Sequence, residues 1–342
     1  MFARTASELV LMQVGITAAA SYLPDRVLST DELQEEIERA SGFALPPNLI
    51  YRMTGIESRA VAGVDEYAST LAVRAAARLM AENDIDRDGI DLLIFASASR
   101  DMVEPATAHI VQRELGTRAH VFDLTNACNS LVHGVDAAAA FIRAGRARRA
   151  LVVTGETPTR SMRAKVRDLA DFRSSFAGFT FGDAGAAVLV EPVERGGILH
   201  FGTETSSEHW AVGGIPGGGS RHPRGDEHTY FQGNGHELVN VFRDLVVRRL
   251  DRLREETGLE WADYERVLVH QVTYPYLERF VETTGVPKEK LVITVPEHGN
   301  IASATLGVQL TRVWRELRSG SRTLFLGLGG GASVASMVWE KS

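Results

Sequence analysis

The stretch Val121-Phe122-Asp123-Leu124-Thr125-Asn126-Ala127-Cys128-Asn129-Ser130 runs from a strand-like apolar segment toward a helical pattern. It contains the only cysteine of the chain. It decides the fold because the same spacing between a polar turn residue and the glycine that closes the next strand occurs again near the C-terminus. Cys128 stands 27 residues before Gly155, which closes an apolar strand-like run. Asn300 likewise stands 27 residues before Gly327, which closes another. The chain therefore uses one structural unit twice, with Cys128 and Asn300 at matching points.

Short apolar runs alternate with helical patterns along the chain, as in layered α/β proteins. The predicted strands of the first half are Gly15–Ser21, Asp91–Ser97, Val121–Thr125, Ala150–Thr154 and Ala186–Glu191. Those of the second half follow in the same order, at Gly197–Gly202, Arg266–Gln271, Leu291–Val295, Thr323–Leu326 and Ser333–Trp339. Helical patterns cover Val135–Ile142, Leu306–Leu317 and residues 237–257. We expect a duplicated α/β fold whose halves, 1–195 and 196–342, meet about a pseudo-two-fold axis.

Composition narrows the class of protein. The 342 residues are 44% hydrophobic and 24% charged, with a net charge of −7; this acidic balance argues against general nucleic-acid binding. Two arginine-rich stretches, 143–149 and 248–254, are typical of solvated helix ends and faces, with an anion-docking patch as the alternative. A single cysteine excludes an internal disulfide, no apolar run approaches the ~18 residues of a membrane span, and Met1–Glu8 lacks a signal-peptide core. We expect a cytoplasmic protein without a membrane span.

Three residues at predicted strand ends suggest thiol chemistry. Cys128 precedes a helix, where the helix start is expected to lower the thiol pKa and expose the nucleophile. The imidazole of His270 and the amide of Asn300 could donate hydrogen bonds to a thioester carbonyl oxygen as it gains charge. Singly, each has an ordinary alternative: an inert buried cysteine, a core histidine, a turn at Gly299-Asn300. Their matched placement favours thiol-based acyl transfer.

With these residues in place, the chain resembles the thiolase superfamily, specifically condensing enzymes of the β-ketoacyl-acyl-carrier-protein synthase III type. The motifs that carry the resemblance are Arg52-Met53-Thr54-Gly55-Ile56, Asn126-Ala127-Cys128, Phe181-Gly182-Asp183-Ala184-Gly185-Ala186-Ala187, His270-Gln271, His298-Gly299-Asn300 and Gly327-Leu328-Gly329-Gly330-Gly331. The resemblance implies a five-layer αβαβα thiolase fold with two mixed sheets. It also implies that Cys128 is the acylated nucleophile and that His270 and Asn300 are its partners. The backbone amides of Cys128 and Gly330 would form the oxyanion hole of acylation.

Within the superfamily, the chain is most similar to the enzymes that join two fatty acyl chains head to head in long-chain olefin biosynthesis. The matching segments are Ser99–Ala108, Gly155-Glu156-Thr157 and Glu297–Ile301. In that family a glutamate at the Glu104 position removes an α-proton from the second acyl chain, reaching into the neighbouring subunit's site. Condensation without loss of CO2 needs such a base. From the residues alone, Glu104 could instead be a solvated carboxylate at a helix start beside Pro105.

The sequence does not decide whether coenzyme A or an acyl carrier protein carries the acyl group. Leu49 and Met53 stand where synthases that use coenzyme A tend to have a tryptophan and an arginine, and Arg52 is one residue out of register. The resemblance therefore implies acyl thioesters of coenzyme A or of an acyl carrier protein as substrates, with no further cofactor. It also implies a dimer, either of identical chains or with a paralogue.

Three segments have less specific interpretations. Residues Arg160–Ser175 are unlike either subfamily and are predicted to shape an entrance or an acyl channel. The stretch Gly213–Gly235, dense in Gly, His and Pro, is typical of a surface or pocket-lining loop. Asn129 and Ser130 follow the nucleophile where small or apolar residues are common, and could alter the acyl pocket.

Other functions remain open at this point. They are decarboxylative condensation with a malonyl thioester, acyl transfer to an alcohol or amine of a natural product, and a non-catalytic partner subunit that donates Glu104. A dinucleotide site at Gly327–Ala332 is not expected, because only ten residues of the sequence follow, too few for the helix that receives a pyrophosphate. No metal site is expected, since the spacing of the loop residues matches no zinc motif; these residues are His222, Asp226, Glu227, His228 and His236.

Overall fold

The structure is a computed structural model that describes residues 12–233 and 235–342, apart from the side chain of His236. Its strands are β1 (Gln13–Tyr22), β2 (Val27–Ser29), β3 (Ser58–Ala60), β4 (Leu92–Ala96), β5 (His120–Leu124), β6 (Ala150–Glu156), β7 (Ala184–Val193), β8 (Gly197–Thr205), β9 (Gly213–Gly214), β10 (Gln232–Gly233), β11 (Arg266–Val269), β12 (Arg322–Gly329) and β13 (Ser333–Glu340). Its α-helices are α1 (Thr30–Ser41), α2 (Leu49–Thr54), α3 (Ala68–Glu82), α4 (Thr107–Leu115), α5 (Ser130–Arg143), α6 (Leu169–Ser175), α7 (Gly235–Thr257), α8 (Tyr274–Thr284), α9 (Val295–His298) and α10 (Ala304–Val313). The segment Met1–Glu8, on which the expected absence of a signal peptide rests, lies outside the described residues. No helix among the described residues has the length and apolar character needed to cross a bilayer.

Two mixed sheets repeat one topology. The first has the strand order β1-β7-β6-β4-β5, with β7 antiparallel to its neighbours and β6, β4 and β5 parallel. The second has the order β8-β13-β12-β11, with β13 antiparallel to its neighbours and β12 and β11 parallel. The duplicated α/β fold is therefore confirmed. The predicted division at 195/196 falls in the turn between β7 and β8 and stays a prediction as a domain boundary.

The sheets and helices stack in five layers, as the resemblance implied. Helices α5 and α10 lie between the two sheets and contact both. Helix α3 covers the outer face of the first sheet, and α7 covers the outer face of the second. Successive strand residues point to opposite faces, so Leu93 contacts the outer layer while Ile94 contacts the central one. Both faces of each sheet are covered by apolar side chains, which explains the continuous apolar runs in the sequence.

Glycines let the two central helices lie directly on the first sheet. A Cβ atom at Gly134 of α5 would stand 2.6 Å from the Cβ of Ala96. One at Gly307 of α10 would stand 2.4 Å from the Cβ of Ala186. A larger residue at either position would push its helix away from a close-packed interior. The turns that precede these helices, which carry Cys128 and Asn300, are thereby held close to the strand ends.

The prediction of a strand at Leu291–Val295 is wrong. Leu291 forms only an isolated parallel bridge with Val267, after which the chain turns into α9. The side chain of Gln271 explains the change, because it accepts hydrogen bonds from the amides of Thr294 (2.9 Å) and Val295 (3.0 Å). The same side chain donates to the Val292 carbonyl at 2.8 Å. A buried side-chain amide thus satisfies backbone groups that would otherwise pair with a neighbouring strand.

Arg249 also departs from its prediction, because it does not lie on a solvated helix face. Its side chain is 2% exposed. The guanidinium donates to the hydroxyl of Ser336 at 2.9 Å and pairs with the carboxylate of Glu256 at 2.5 Å. A Cβ atom at Gly202 would lie 2.6 Å from the guanidinium carbon, so that glycine makes the space for it. Arg249 therefore joins α7 to the second sheet.

Candidate active site

The turn that carries Cys128 is held by the residues on both sides of it. Asn126 and Cys128 form an isolated bridge, and Ala127 between them has a φ of +48°. Ser130, the first residue of α5, accepts a hydrogen bond from the Asn126 amide (2.9 Å) and donates one to the Ala127 carbonyl (2.7 Å). A left-handed conformation is uncommon for alanine and marks a turn constrained by its surroundings. The turn places a free cysteine just beyond the end of β5; the residue as a whole is half-buried, and its sulfur lies on the buried side.

The ionisation of Cys128 differs from the expectation. Burial first, and then the nearby carboxylate of Glu156, raise the pKa of the Cys128 thiol to about 12. Backbone hydrogen bonds from the amides of Cys128 and Gly330 lower the pKa without cancelling the effect of burial. The predicted lowering by a helix start is therefore wrong, since α5 begins two residues later and desolvation dominates. At neutral pH the resting thiol is protonated, so its proton must leave as sulfur attacks.

Two backbone amides nevertheless converge on the sulfur. The Gly330 amide comes from the turn between β12 and β13, and a Cβ atom at Gly330 would lie 3.5 Å from the Cβ of Ala127. The Cys128 amide comes from the other half of the chain. Such a pair of donors can stabilise negative charge on an oxygen placed beside the sulfur.

Asn300 occupies the equivalent turn of the second half. Gly299 precedes it with a φ of +65°, as Ala127 precedes Cys128. The Asn300 amide donates to the Thr180 carbonyl at 2.8 Å, and its carbonyl accepts from the Gly182 amide at 3.1 Å. Its side-chain oxygen accepts from the Ala302 amide at 3.1 Å. The side chain is buried and its oxygen is held by its own turn, which leaves the NH2 group available as a hydrogen-bond donor.

His270 directly follows β11, and its ring lies beside Ala302 in the turn that carries Asn300. Its amide donates to the Leu326 carbonyl at 3.0 Å, which continues the pairing with β12. The ring is buried, and burial lowers the pKa of His270 to about 4, against an opposing backbone hydrogen bond with Ala302. Its Nδ1 atom has no hydrogen-bond partner among the described residues. At neutral pH His270 is thus an uncharged imidazole, and Ala302 links it to Asn300.

Sequence reasoning missed the part played by Glu156, whose fully buried carboxylate joins the two halves. It accepts hydrogen bonds from the amides of Ala98 (2.7 Å) and Ser99 (2.9 Å) and from the hydroxyl of Ser303. Ser303 stands three positions after Asn300 and packs against the end of β6. The signal was present as a glutamate at the end of an apolar strand, where buried carboxylates are rare.

Glu104 lies apart from these groups. It is exposed in the loop between β4 and α4, and it is not among the charges that shift the Cys128 thiol. It does not start the helix either, because α4 begins at Thr107 and the Thr107 and Ala108 amides both donate to Asp123 at 2.8 Å. The alternative interpretation of Glu104 as a solvated carboxylate at a helix start is therefore right about its exposure and wrong about its position. Within one chain its carboxylate faces solvent.

The remaining predicted site residues fall outside the buried set. Arg52 is exposed in the last turn of α2. The rings of His222 and His228 stack with their centroids 3.7 Å apart. No group of three or more His, Cys, Asp or Glu side chains within the described ranges could hold a metal ion. The side chain of His236, which belonged to the rejected metal set, lies outside the described residues.

Two surface segments meet near the site. The Phe231 amide of the Gly213–Gly235 stretch donates to the Ser161 carbonyl at 2.9 Å. Gly213, at the other end of that stretch, has its carbonyl oxygen 3.8 Å from where a Cβ atom on Gly330 would stand. Phe172, in contrast, is buried in a separate cluster with α1 and α2. The Gly213–Gly235 stretch therefore borders the turn of Gly330, whereas part of Arg160–Ser175 is core.

Solved structures with the same fold were found by structural comparison. Xanthomonas campestris OleA matches with TM-scores of 0.86 for a form with bound lauric acid and lauroyl-CoA and 0.87 for a histidine variant. Each is 25% identical and covers 96% of this chain and 98% or more of the other. A cerulenin-bound form of the same protein also matches, with a TM-score of 0.86. This agrees with the similarity drawn from the sequence motifs.

Sequence relatives point to the same family. The family described as 3-oxoacyl-[acyl-carrier-protein (ACP)] synthase III matches residues 122–207, and its C-terminal part matches residues 254–341. The β-ketoacyl-[acyl-carrier-protein] synthase III of Desulfitobacterium hafniense is 30% identical, covering 97% of this chain and 99% of its own length. That of Hyphomonas neptunium is 31% identical over 95% and 98%. The chain belongs to the β-ketoacyl-[acyl-carrier-protein] synthase III family of condensing enzymes, within the thiolase superfamily.

Proposed function

We propose that this protein forms an acyl-enzyme on Cys128 and condenses it with a second acyl thioester, without decarboxylation, to a β-keto product. The convergence of the Cys128 and Gly330 amides on one thiol carries the acyl-transfer part of the proposal. The likeness to OleA, one form of which holds lauric acid and lauroyl-CoA, supports fatty acyl groups as the substrate class.

In the first step the Cys128 sulfur attacks the thioester carbonyl carbon. The carbonyl oxygen gains charge between the two amides, and the bond to the carrier sulfur then breaks. The thiol proton passes to the departing carrier sulfur, which leaves as a free thiol. The products are an S-acyl enzyme and one carrier thiol.

In the second step Glu104 removes a proton from the α-carbon of the second thioester. His270 and the NH2 group of Asn300 hold the carbonyl oxygen of the resulting enolate. The α-carbon attacks the acyl carbon on Cys128, and the carbon–sulfur bond breaks. The sulfur regains a proton from solvent and Glu104 releases the one it removed, so the thiol and the carboxylate are both restored. Because Glu104 is solvent-exposed within one chain, this role requires the site of a neighbouring subunit, as the resemblance implies. Identical partners are the simpler case, since each chain carries both Cys128 and Glu104.

Decarboxylative condensation is the second candidate, because the curated relatives at about 30% identity are β-ketoacyl-[acyl-carrier-protein] synthases III. There the second substrate is a malonyl thioester, loss of CO2 generates the carbanion, and no base is needed. Lauroyl and malonyl thioesters supplied separately would distinguish the two. Product from a simple acyl thioester alone supports the proposal, and product only with malonyl thioester contradicts it.

Intact-mass spectrometry after incubation with lauroyl-CoA tests the first step. A lauroyl adduct should form on the native enzyme and be absent from Cys128→Ala. Failure of the native enzyme to form an adduct with lauroyl-CoA and with lauroyl-carrier protein would leave only the role of a non-catalytic partner subunit.

Subunit complementation tests the second step. Glu104→Ala should acylate Cys128 normally but lose condensation, while Glu114→Ala, an exposed glutamate on α4, serves as the matched control. Co-expressing Glu104→Ala with Cys128→Ala should restore condensation, since the mixed dimer then has one site with both groups. Two inactive variants that stay inactive together would contradict action across the dimer.

A further inference from the structure

Asn129, the residue after the nucleophile, sends its side chain across the boundary between the two halves. Its NH2 group donates to the carbonyl oxygen of Ser333 at 3.0 Å and to the Ser333 hydroxyl at 2.9 Å. Ser333 is the first residue of β13 and follows the turn that carries Gly330. Asn129 is fully buried, so its side chain does not line an open acyl pocket.

The slot around Asn129 is built from glycines. A Cβ atom on Gly327 would lie 2.1 Å from the Asn129 Oδ1 atom, and one on Gly329 would lie 2.7 Å from its Nδ2 atom. The backbone of β12, to which both glycines belong, therefore approaches this side chain closely. Neither partner can shift without moving the other in so close-packed a region.

The amide is also costly to bury here. Its Oδ1 atom has no hydrogen-bond partner among the described residues, and a buried acceptor left unsatisfied is destabilising. An apolar side chain would avoid that cost at a position where packing alone was needed. What an apolar side chain could not supply is the pair of donated bonds to Ser333.

We infer that Asn129 is a positioning residue that fixes the Gly330 amide relative to the Cys128 sulfur. This inference rests on the proposed acyl-enzyme function. The two amides of the oxyanion hole belong to different halves of the chain. Asn129 is next to Cys128, whose amide is one of them, and Ser333 begins the strand that follows Gly330, whose amide is the other. The Asn129–Ser333 hydrogen bonds therefore connect the two halves beside both amides. A displacement of about 1 Å at such a site costs on the order of 100-fold in rate.

Single-turnover acylation by lauroyl-CoA, followed by intact mass, measures the consequence. Asn129→Ala should lower the maximal acylation rate by about 10- to 100-fold. The lauroyl-CoA concentration for half-maximal rate should stay within about twofold, because binding of the carrier is not involved. In parallel, the rate of iodoacetamide alkylation between pH 8 and pH 10 should fall, because loss of the hydrogen bond from the Gly330 amide raises the pKa of Cys128 further.

Ser336→Ala is the matched control. Ser336 is buried on the same strand but bonds to Arg249, so its loss destabilises β13 without touching the turn of Gly330. It should keep the acylation rate and the alkylation profile of the native enzyme. If Asn129→Ala fails to fold, Asn129→Ser, whose side chain is too short to keep both bonds, takes its place in the same assays.

The outcomes separate this inference from the proposed function. If the native enzyme acylates and the Asn129 variant has the same acylation rate and the same alkylation profile, the inference alone is overturned. If the native enzyme forms no acyl-enzyme, the proposed function is overturned. The alkylation profiles of the native enzyme and the Asn129 variant then still test whether Asn129 positions the Gly330 amide. A rate loss shared equally by Ser336→Ala would show general destabilisation and also overturn the inference.

Discussion

The hydroxyl of Ser303 donates to the carboxylate of Glu156, so a residue of the second half is bonded to the end of a strand of the first half. The hydroxyls of Thr154 and Ser303 also lie 2.6 Å apart. Because Glu156 further accepts from two amides of the loop after β4, one buried carboxylate sets the relative position of three chain segments. These bonds place the turn of Asn300 against the first sheet, at whose strand β5 the turn of Cys128 begins.

Replacing Glu156 with glutamine should lower the pKa of the Cys128 thiol, because the negative charge that disfavours the thiolate is removed. Alkylation by iodoacetamide at pH 8 should become faster than in the native enzyme. Stability should fall by about 1–3 kcal/mol, since a neutral amide cannot replace all the accepted bonds. Glu191→Gln, on β7 with Arg149 as its partner, is the control. An unchanged alkylation profile would show that Glu156 has no electrostatic effect on the thiol.

The native thiol should alkylate slowly at neutral pH. With a pKa of about 12, the thiolate fraction rises about tenfold for each pH unit, and no plateau should occur between pH 7 and pH 10. Stopped-flow or quenched alkylation across that range, with Cys128→Ala as the blank, provides the measurement. A plateau near pH 8 would instead indicate a thiol activated in the resting state.

His270 should make the protein less stable in mild acid. Its pKa in the folded protein is about 4, below the ordinary 6.5, so the unfolded chain binds a proton in that interval and the folded chain does not. The stability contributed by this group is therefore complete above about pH 6.5 and is lost as pH falls toward 4, by about 3 kcal/mol. Urea unfolding of the native protein and of His270→Asn at several pH values isolates the contribution of His270 to the free energy of unfolding. Parallel pH dependences of the two proteins would contradict it.

The slot around Asn129 predicts a compensating pair. Gly327→Ala alone should destabilise the protein by about 1–3 kcal/mol, because the new methyl group would collide with the Asn129 Oδ1 atom at 2.1 Å. In an Asn129→Ala background the same change should cost less, since the colliding atom is gone. Gly214→Ala, whose Cβ atom would meet nothing within 4 Å, is the control. Additive effects in urea unfolding would show that the two residues do not share this space.

Arg52 offers a test of the carrier. If coenzyme A thioesters are the substrates and Arg52 contacts them, Arg52→Ala should raise KM for lauroyl-CoA by up to about fivefold, a size typical of an exposed ionic contact. kcat should not change, because the contact exists equally in the ground and transition states. Steady-state kinetics with lauroyl-CoA and with a lauroyl-carrier protein compare the two carriers. No change with either would remove Arg52 from the site.

Most of the fold could be predicted because strand and helix periods are local properties. The repeat from Cys128 to Gly155 and from Asn300 to Gly327 predicted equivalent turns, and the two sheets share one strand order. The failure at Leu291–Val295 has a non-local cause. Its backbone is satisfied by the side chain of Gln271, a contact that no period in the sequence could indicate.

By itself, the sequence determined the duplicated layers, the family and the positions of Cys128, His270 and Asn300, because each depends on residue type and spacing along the chain. The tertiary structure decided the ionisation of Cys128 and His270 and the hydrogen bonds that hold the site. Burial reverses the expected lowering of the Cys128 pKa. The Asn129–Ser333 and Glu156–Ser303 bonds join residues 204 and 147 positions apart. Desolvation and long-range hydrogen bonds arise only when distant segments meet, which is why they could not be inferred from the order of the residues.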